Sequence, residues 1–121
     1  MKTSFMDIQE GDDGNIITLN GASFEPEQIS EIKNQVSSLV EGGKRNFVAD
    51  MGNLKIMNST VSSMLIVSMK KARAAGGDVI LANVPAAIMR QLDIAKLTSV
   101  FTITETIAQA LAKLKAQPGA S

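Results

Sequence analysis

The chain contains no cysteine and no histidine. Without cysteine it can form neither a disulfide nor a thiolate nucleophile, a composition that is compatible with the cytoplasm. Without histidine it lacks the usual zinc-ligand sets and the commonest general base. Its carboxylates show no pair at a spacing typical of a catalytic site. We therefore expect no enzymatic activity, no metal site and no cofactor.

Aromatic residues are scarce, at 3% of the chain, with four phenylalanines and neither tryptophan nor tyrosine. Few side chains are therefore able to stack on bases. Lysine plus arginine and aspartate plus glutamate number 12 each, so the chain lacks the basic excess typical of nucleic-acid binding. We expect no nucleic-acid partner.

Long hydrophobic runs are also missing, since no apolar stretch approaches the roughly 20 residues that cross a bilayer. The first residues carry no signal-peptide core. These absences predict a cytoplasmic protein that does not insert into a membrane. A hydrophobic fraction of 45% over 121 residues nevertheless supports a packed core. We predict one domain over residues 1–114 and a flexible tail over residues 115–121.

The first half of the chain begins with a predicted β-hairpin. Residues 3–9 and 15–19 alternate loosely between polar and apolar side chains, and the residues between them include two glycines and two aspartates, typical of a turn. A loop over residues 21–24 leads to a helix that we predict to begin near Pro26 and to end at Gly42 and Gly43. The apolar positions of that helix keep helical spacing: Ile29, Ile32, Val36, Leu39 and Val40.

The second half alternates strands with helices. We predict a strand over residues 47–50, a helix over residues 59–75 and a strand buried on both faces over residues 78–82. A short helix, a short strand over residues 100–103 and a last helix capped by Thr104 follow. This order predicts an α/β fold in which the hairpin continues into a mixed, partly parallel sheet of about five strands, packed with about four helices.

The helix over residues 59–75 has hydroxyl side chains at its front, and Asn58 or Ser59 is expected to cap it. Besides the residues that we assign to its buried face below, this helix contains the apolar residues Met64, Ile66 and Val67, which cannot all lie on that face. Some apolar surface should therefore remain near Ser59, and a contiguous patch would mark a partner site. We assign the buried face to Val61, Leu65, Ser68, Met69 and Ala72.

Several neighbouring residues admit two interpretations. Met57 and Met64 suit an adaptable contact surface, whereas core packing is the simpler role for Met69. Asp50 invites assignment as a metal ligand or catalytic acid, but it is better explained as the end of a strand that bonds to the next loop. The Gly76-Gly77 pair is a helix stop, because neither P-loop spacing nor its Lys-Ser/Thr pair follows.

Several blocks of this sequence together resemble the STAS domain, a family of sulfate-transporter and anti-sigma-factor-antagonist modules. The resemblance covers roughly residues 3–114, and its most telling part is the link Ala74-Ala75-Gly76-Gly77 before a buried strand. The other blocks are Phe47-Val48-Ala49-Asp50, Ile56-Met57-Asn58-Ser59-Thr60-Val61 and Asp78-Val79-Ile80-Leu81-Ala82-Asn83-Val84-Pro85. The resemblance implies a STAS-like fold.

The resemblance also implies a function. Bacterial single-domain members are anti-sigma factor antagonists that bind a serine-kinase anti-sigma factor, which phosphorylates a serine in an Asp-Ser-Ser/Thr-Gly motif. The corresponding residues here make Ser59 the phosphoacceptor, with the kinase and a serine phosphatase as expected partners. The expected partner-binding residues are Asn58, Ser59, Thr60, Val61, Ser62, Ser63 and Met64.

The motif departs from the family pattern at two positions. Asn58 replaces the acid and Val61 replaces the glycine, and the loop over residues 21–24 also lacks a usual acid. These departures favour an alternative, in which the chain is a non-phosphorylated STAS adaptor subunit of a transport or signalling complex. A third interpretation, from the residues alone, makes Ser59 only a helix cap.

Overall fold

The computed structural model describes residues 2–21 and 24–116. Five strands form one sheet: β1 (Met6–Gln9), β2 (Asn15–Leu19), β3 (Asn46–Asp50), β4 (Asp78–Ala82) and β5 (Thr102–Ile103). Four α-helices accompany them: α1 (Pro26–Glu41), α2 (Ser59–Ala74), α3 (Ala86–Ile94) and α4 (Ile107–Lys115).

The sheet has the strand order β1-β2-β3-β4-β5. β1 and β2 are antiparallel, with Met6 opposite Leu19, and form the predicted hairpin. The remaining neighbours are parallel, because a helix carries the chain back between successive strands. The prediction of a mixed, partly parallel sheet of five strands with four helices is confirmed.

The core lies on both faces of the sheet. One layer contains the buried residues of α1, α2 and α3, and the other contains Ala110 and Leu114 of α4. All five residues of β4 are buried, as expected for a strand covered on both sides.

The Gly76-Gly77 link ends α2 and turns the chain into β4. Gly76 has a φ of 93°, which a side chain would strain, and the Gly77 amide donates to the Ala72 carbonyl at 2.9 Å. A Cβ on Gly77 would overlap the carbonyl of Arg45. The link is therefore a helix stop, as the sequence predicts, and the structure adds that two backbone segments nearly touch there.

The C-terminal region differs from the prediction at three places. The cap of α4 is Thr106, which accepts from the Gln109 amide at 3.1 Å, so the assignment of Thr104 is wrong. Thr104 is only 8% exposed, and its hydroxyl donates to the Thr106 carbonyl at 2.9 Å. An unpredicted 3-10 helix over Leu97–Ser99 shortens the final strand.

Two further expectations concern the ends of segments. Lys115 is the last residue of α4 rather than the first of a tail, and residues 117–121 lie outside the described part. Residues 22 and 23 of the predicted loop also lie outside it. Within the ranges that the structure covers, none of the helices has the length and apolar character that crossing a membrane requires.

Candidate functional site at the start of helix α2

The backbone at the start of α2 is capped by Asn58. This residue is extended, with a φ of −141°, and its Oδ1 accepts from the Val61 amide at 2.9 Å. That bond satisfies one of the amides that a helix start leaves without an intrahelical acceptor. The cap is therefore Asn58, and Ser59 is the first helical residue.

The hydroxyls of Ser59 and Thr60 project from this helix start into solvent. Both residues are exposed, and neither hydroxyl has a hydrogen-bond partner among residues 2–21 and 24–116. Their backbone amides lie in the first helical turn, where the helix offers no acceptor and the dipole is positive. A negatively charged group attached here would therefore be stabilised by the backbone.

Two grooves flank the start of α2, and Asn58 lines both. The first has a volume of about 560 Å³, lies between α2 and α3, and includes Ser59 in its lining. The second has a volume of about 340 Å³, lies between α1 and α2, and includes Thr60. The two adjacent hydroxyls thus border different surfaces.

The charged residues in these grooves are all basic. Among the described residues, Lys70 is the only charged one that lines the first groove, and Lys33 the only one that lines the second. The first turn of α2 contains no acid. A phosphate at this position would meet the amide dipoles of the helix start and no carboxylate of the first turn.

An apolar strip continues from Ser59 along α2, as predicted. Ile66 and Val67 are only half-buried and line the first groove, while Met64 is buried. Met57 is also half-buried in this groove, and its Sδ accepts from the Ser62 hydroxyl at 3.2 Å. Some apolar surface therefore remains near Ser59, as expected.

Two of the expected partner-binding side chains do not reach that surface. Val61 and Met64 are each 1% exposed and belong to the main core layer. They lie on the helix face that turns toward the sheet, because residues three apart share a face. Val61 thus has the buried position that the helical spacing predicts, and for both residues the assignment to a contact surface is corrected to a core role.

Asp50 has the structural role that its position at a strand end indicates. Its Oδ1 accepts from the Gly52 amide and from Asn83 Nδ2, each at 3.1 Å, and its Oδ2 accepts from the Thr18 hydroxyl at 3.3 Å. It thus joins β2, β3 and the loop after β4. The part of the chain that the structure describes holds no group of three or more potential metal ligands.

Sequence reasoning missed the far wall of the first groove. Gln91 of α3 and Ala95, the residue after its end, form it opposite the α2 residues. Nothing in the sequence indicated that these two helices border a common surface, because their separation depends on how both pack on the sheet.

The chain is similar in sequence to one protein family and in fold to several solved structures. A sequence model of the STAS domain matches residues 6–110. The anti-sigma factor antagonist SpoIIAA in its unphosphorylated form has a TM-score of 0.73 and 18% identity, covering 93% of this chain and 99% of that chain. The phosphorylated Bacillus SpoIIAA has a TM-score of 0.71 and 16% identity, covering 90% and 98%.

A third solved structure is a serine-to-glutamate variant of RsbS from Moorella thermoacetica. It has a TM-score of 0.77 and 19% identity, and the match covers 91% of this chain and 94% of that chain. At these identities the three structures show that the fold is shared.

Proposed function

Because this chain belongs to the STAS domain family, we propose that it is an anti-sigma factor antagonist whose partner is a serine-kinase anti-sigma factor. It binds that partner in the cytoplasm through the start of α2, and phosphorylation of Ser59 controls the binding. The observation that supports this proposal most directly concerns the exposure and the hydrogen bonding of the Ser59 hydroxyl. That hydroxyl is exposed and makes no hydrogen bond within the described ranges, because Asn58 performs the capping.

The physical effect of the modification follows from its place in the helix. A phosphate of about −1.5 to −2 charge at a helix N-terminus is favoured by the dipole and by the first-turn amides. The phosphorylated protein should therefore keep its fold. The change in activity must come from the partner, which would lose contact with the neutral surface formed by Asn58, Ser59, Thr60, Ser62 and Ser63.

The departures from the family motif are compatible with this mechanism. Asn58 caps the helix through the same kind of side-chain oxygen as an aspartate would. Val61 replaces a glycine, but its side chain is 1% exposed and does not obstruct the surface around Ser59. The missing acid also removes a negative charge that would repel a phosphate.

The adaptor alternative rests on those same departures, Asn58 and Val61. A constitutive STAS subunit of a transport or signalling complex would use the α2 surface without modification, and its binding would not respond to charge at Ser59. The two functions therefore differ in one measurable property.

Partner capture from an extract of the native cell measures that property. The wild type, Ser59→Ala, Ser59→Glu and the neighbouring control Thr60→Ala are immobilised, and bound proteins are quantified by mass spectrometry. We expect a serine kinase bound by the wild type and by both alanine variants, and at least tenfold less of it on Ser59→Glu. Equal recovery on Ser59→Glu and the wild type would contradict the switch and favour the adaptor.

A further inference from the structure

The α2 side of the first groove is a single helical stripe whose chemistry changes along its length. Its members are spaced three and four residues apart, as one face of a helix requires. The stripe begins with hydroxyls, continues with two aliphatic side chains and ends with a cation, roughly 16 Å further along the axis at about 1.5 Å per residue. These residues are Ser59, Ser62, Ser63, Ile66, Val67 and Lys70.

The part of the chain that forms most of the groove is the basic part of an electrically uneven sequence. The chain is neutral overall, yet residues 1–55 hold five basic and nine acidic side chains, whereas residues 56–121 hold seven basic and three acidic ones. Lys70 lines the groove, and exposed Lys71, Arg90 and Lys96 each adjoin a lining residue in sequence. Asp93 is the only acidic residue on α3, and its Oδ1 accepts a hydrogen bond from the Thr98 hydroxyl at 3.3 Å.

We propose that this groove receives an acidic amphipathic helix of the partner, an inference that rests on the proposed function. The apolar side of that helix contacts Ile66 and Val67, and its carboxylates lie against Lys70 and Arg90. A helix suits the site because the groove follows α2 for about three turns, with Gln91 and Ala95 opposite, and an apolar groove beside helices is a common receptor for an amphipathic one. The basic rim supplies the charge complementarity that selects acidic partners.

A second copy of this chain does not meet these requirements. Its acidic helix is α1, which carries Glu27, Glu31 and Glu41. The apolar face of α1 is already buried in its own core, through Ile29, Ile32 and Val36. A second copy would therefore offer acids without an apolar side.

An acidic partner also explains how a phosphate on Ser59 would act. Ser59 lines the same groove as Lys70. A phosphate placed there adds negative charge at the hydroxyl end of the groove and repels a carboxylate that the bound helix places at that end. The same modification would attract a basic partner, so a phosphate that releases the partner requires acidic groups of the partner near Ser59.

Two synthetic peptides test this inference on the purified, unphosphorylated full chain. One is a helix-forming peptide with leucines on a single stripe and glutamates elsewhere; the other has lysine in place of each glutamate. Each is titrated into isotope-labelled protein at low salt while the amide signals are followed by NMR. We expect the acidic peptide to shift the amides of Ile66, Val67 and Gln91 and to bind at least tenfold more tightly than the basic one.

Matched variants locate the charge effect. Lys70→Glu should weaken the acidic peptide by about fivefold, as expected for replacing one surface ion pair with a repulsion. Lys113→Glu, an exposed lysine on α4 against the other sheet face, should leave the affinity unchanged. Ser59→Glu should weaken the same peptide, because it places a carboxylate in the groove.

Three results would overturn the inference. They are equal binding of the two peptides, amide shifts confined to α1 or α4, and concentration-dependent dimers in sedimentation velocity that Ile66→Asp abolishes. None of them concerns phosphorylation, since the protein used is unmodified. Failure here therefore leaves the Ser59 switch standing, and failure of the switch leaves the charge preference of the groove measurable.

Discussion

The side-chain Oδ1 of Asn58 accepts a hydrogen bond from the Val61 amide at 2.9 Å. Because Asn58 caps the helix in this way, the Ser59 hydroxyl is not needed as a cap. Asn58→Ala should lower the free energy of unfolding by about 1 kcal/mol, the usual cost of a lost N-cap. Ser59→Ala should change it by less than about 0.5 kcal/mol, as an exposed substitution does. Urea unfolding of both variants measures the difference. A larger loss for Ser59→Ala than for Asn58→Ala would make Ser59 the structural residue.

A negative charge at position 59 should not harm the fold. Ser59→Glu places a carboxylate at the positive end of α2, which should raise the free energy of unfolding by about 0.3–1 kcal/mol at low salt. Added salt should reduce the gain, because exposed charges are screened. Ser59→Lys is the control and should destabilise by a similar amount. Thermal unfolding at two salt concentrations measures the stability of each variant. A strongly destabilised Ser59→Glu would contradict a switch that leaves the fold intact.

The close approach at Gly77 predicts a large effect from one methyl group. Gly77→Ala should cost about 3 kcal/mol or more, because its Cβ would overlap the Arg45 carbonyl and the two backbone segments would have to separate. Gly42→Ala is the matched control. That glycine has a φ of −79° and room for a methyl group, so the change should be neutral or stabilise by up to about 1 kcal/mol. Chemical denaturation of both proteins tests the contrast, and similar stabilities would refute it.

An ion pair joins the end of α2 to the start of β4. Arg73 Nε lies 2.9 Å from Oδ1 of Asp78, and its Nη2 donates to the Val100 carbonyl at 3.0 Å. Asp78 is 7% exposed and keeps a bond from the Val79 amide, so Arg73→Ala should cost about 1–2 kcal/mol instead of the full penalty of a buried charge.

Lys71→Ala provides the comparison for that ion pair. It removes an exposed cation from the same helix end and should cost less than about 0.5 kcal/mol. Equal losses in urea unfolding would show that the effect is general helix-end charge and not the Arg73 contacts.

The order of strands and helices could be predicted because each element has a clear hydrophobic period and an end signal. The limits of α1 and α2 follow from Pro26, Gly42 and the Gly76-Gly77 link. The predicted cap of α4 was wrong because two threonines of equal capping propensity, Thr104 and Thr106, lie close together in the sequence. Burial and a hydrogen bond to the Thr106 carbonyl occupy Thr104, and only tertiary packing decides between them.

The candidate site was only partly predictable, for a reason of geometry. The sequence indicated a hydroxyl-rich helix start, but it does not show which residues from other elements lie close to that start in the folded protein. Helical spacing predicts a core position for Val61, but Met64 was assigned to the contact surface and faces the core instead, since each residue turns the helix by about 100°. The wall formed by Gln91 and Ala95 has no local signal, because it arises from the packing of α3 beside α2.

The central claim is that Ser59 is modified in the cell, and intact-mass spectrometry of the protein isolated from its native cell tests this most directly. The wild type, Ser59→Ala and Thr60→Ala are compared in resting growth and under stress. The account predicts one added phosphate on the wild type and on Thr60→Ala, varying with condition and missing from Ser59→Ala. An unmodified wild type in both conditions, or a phosphate that persists in Ser59→Ala, would contradict it.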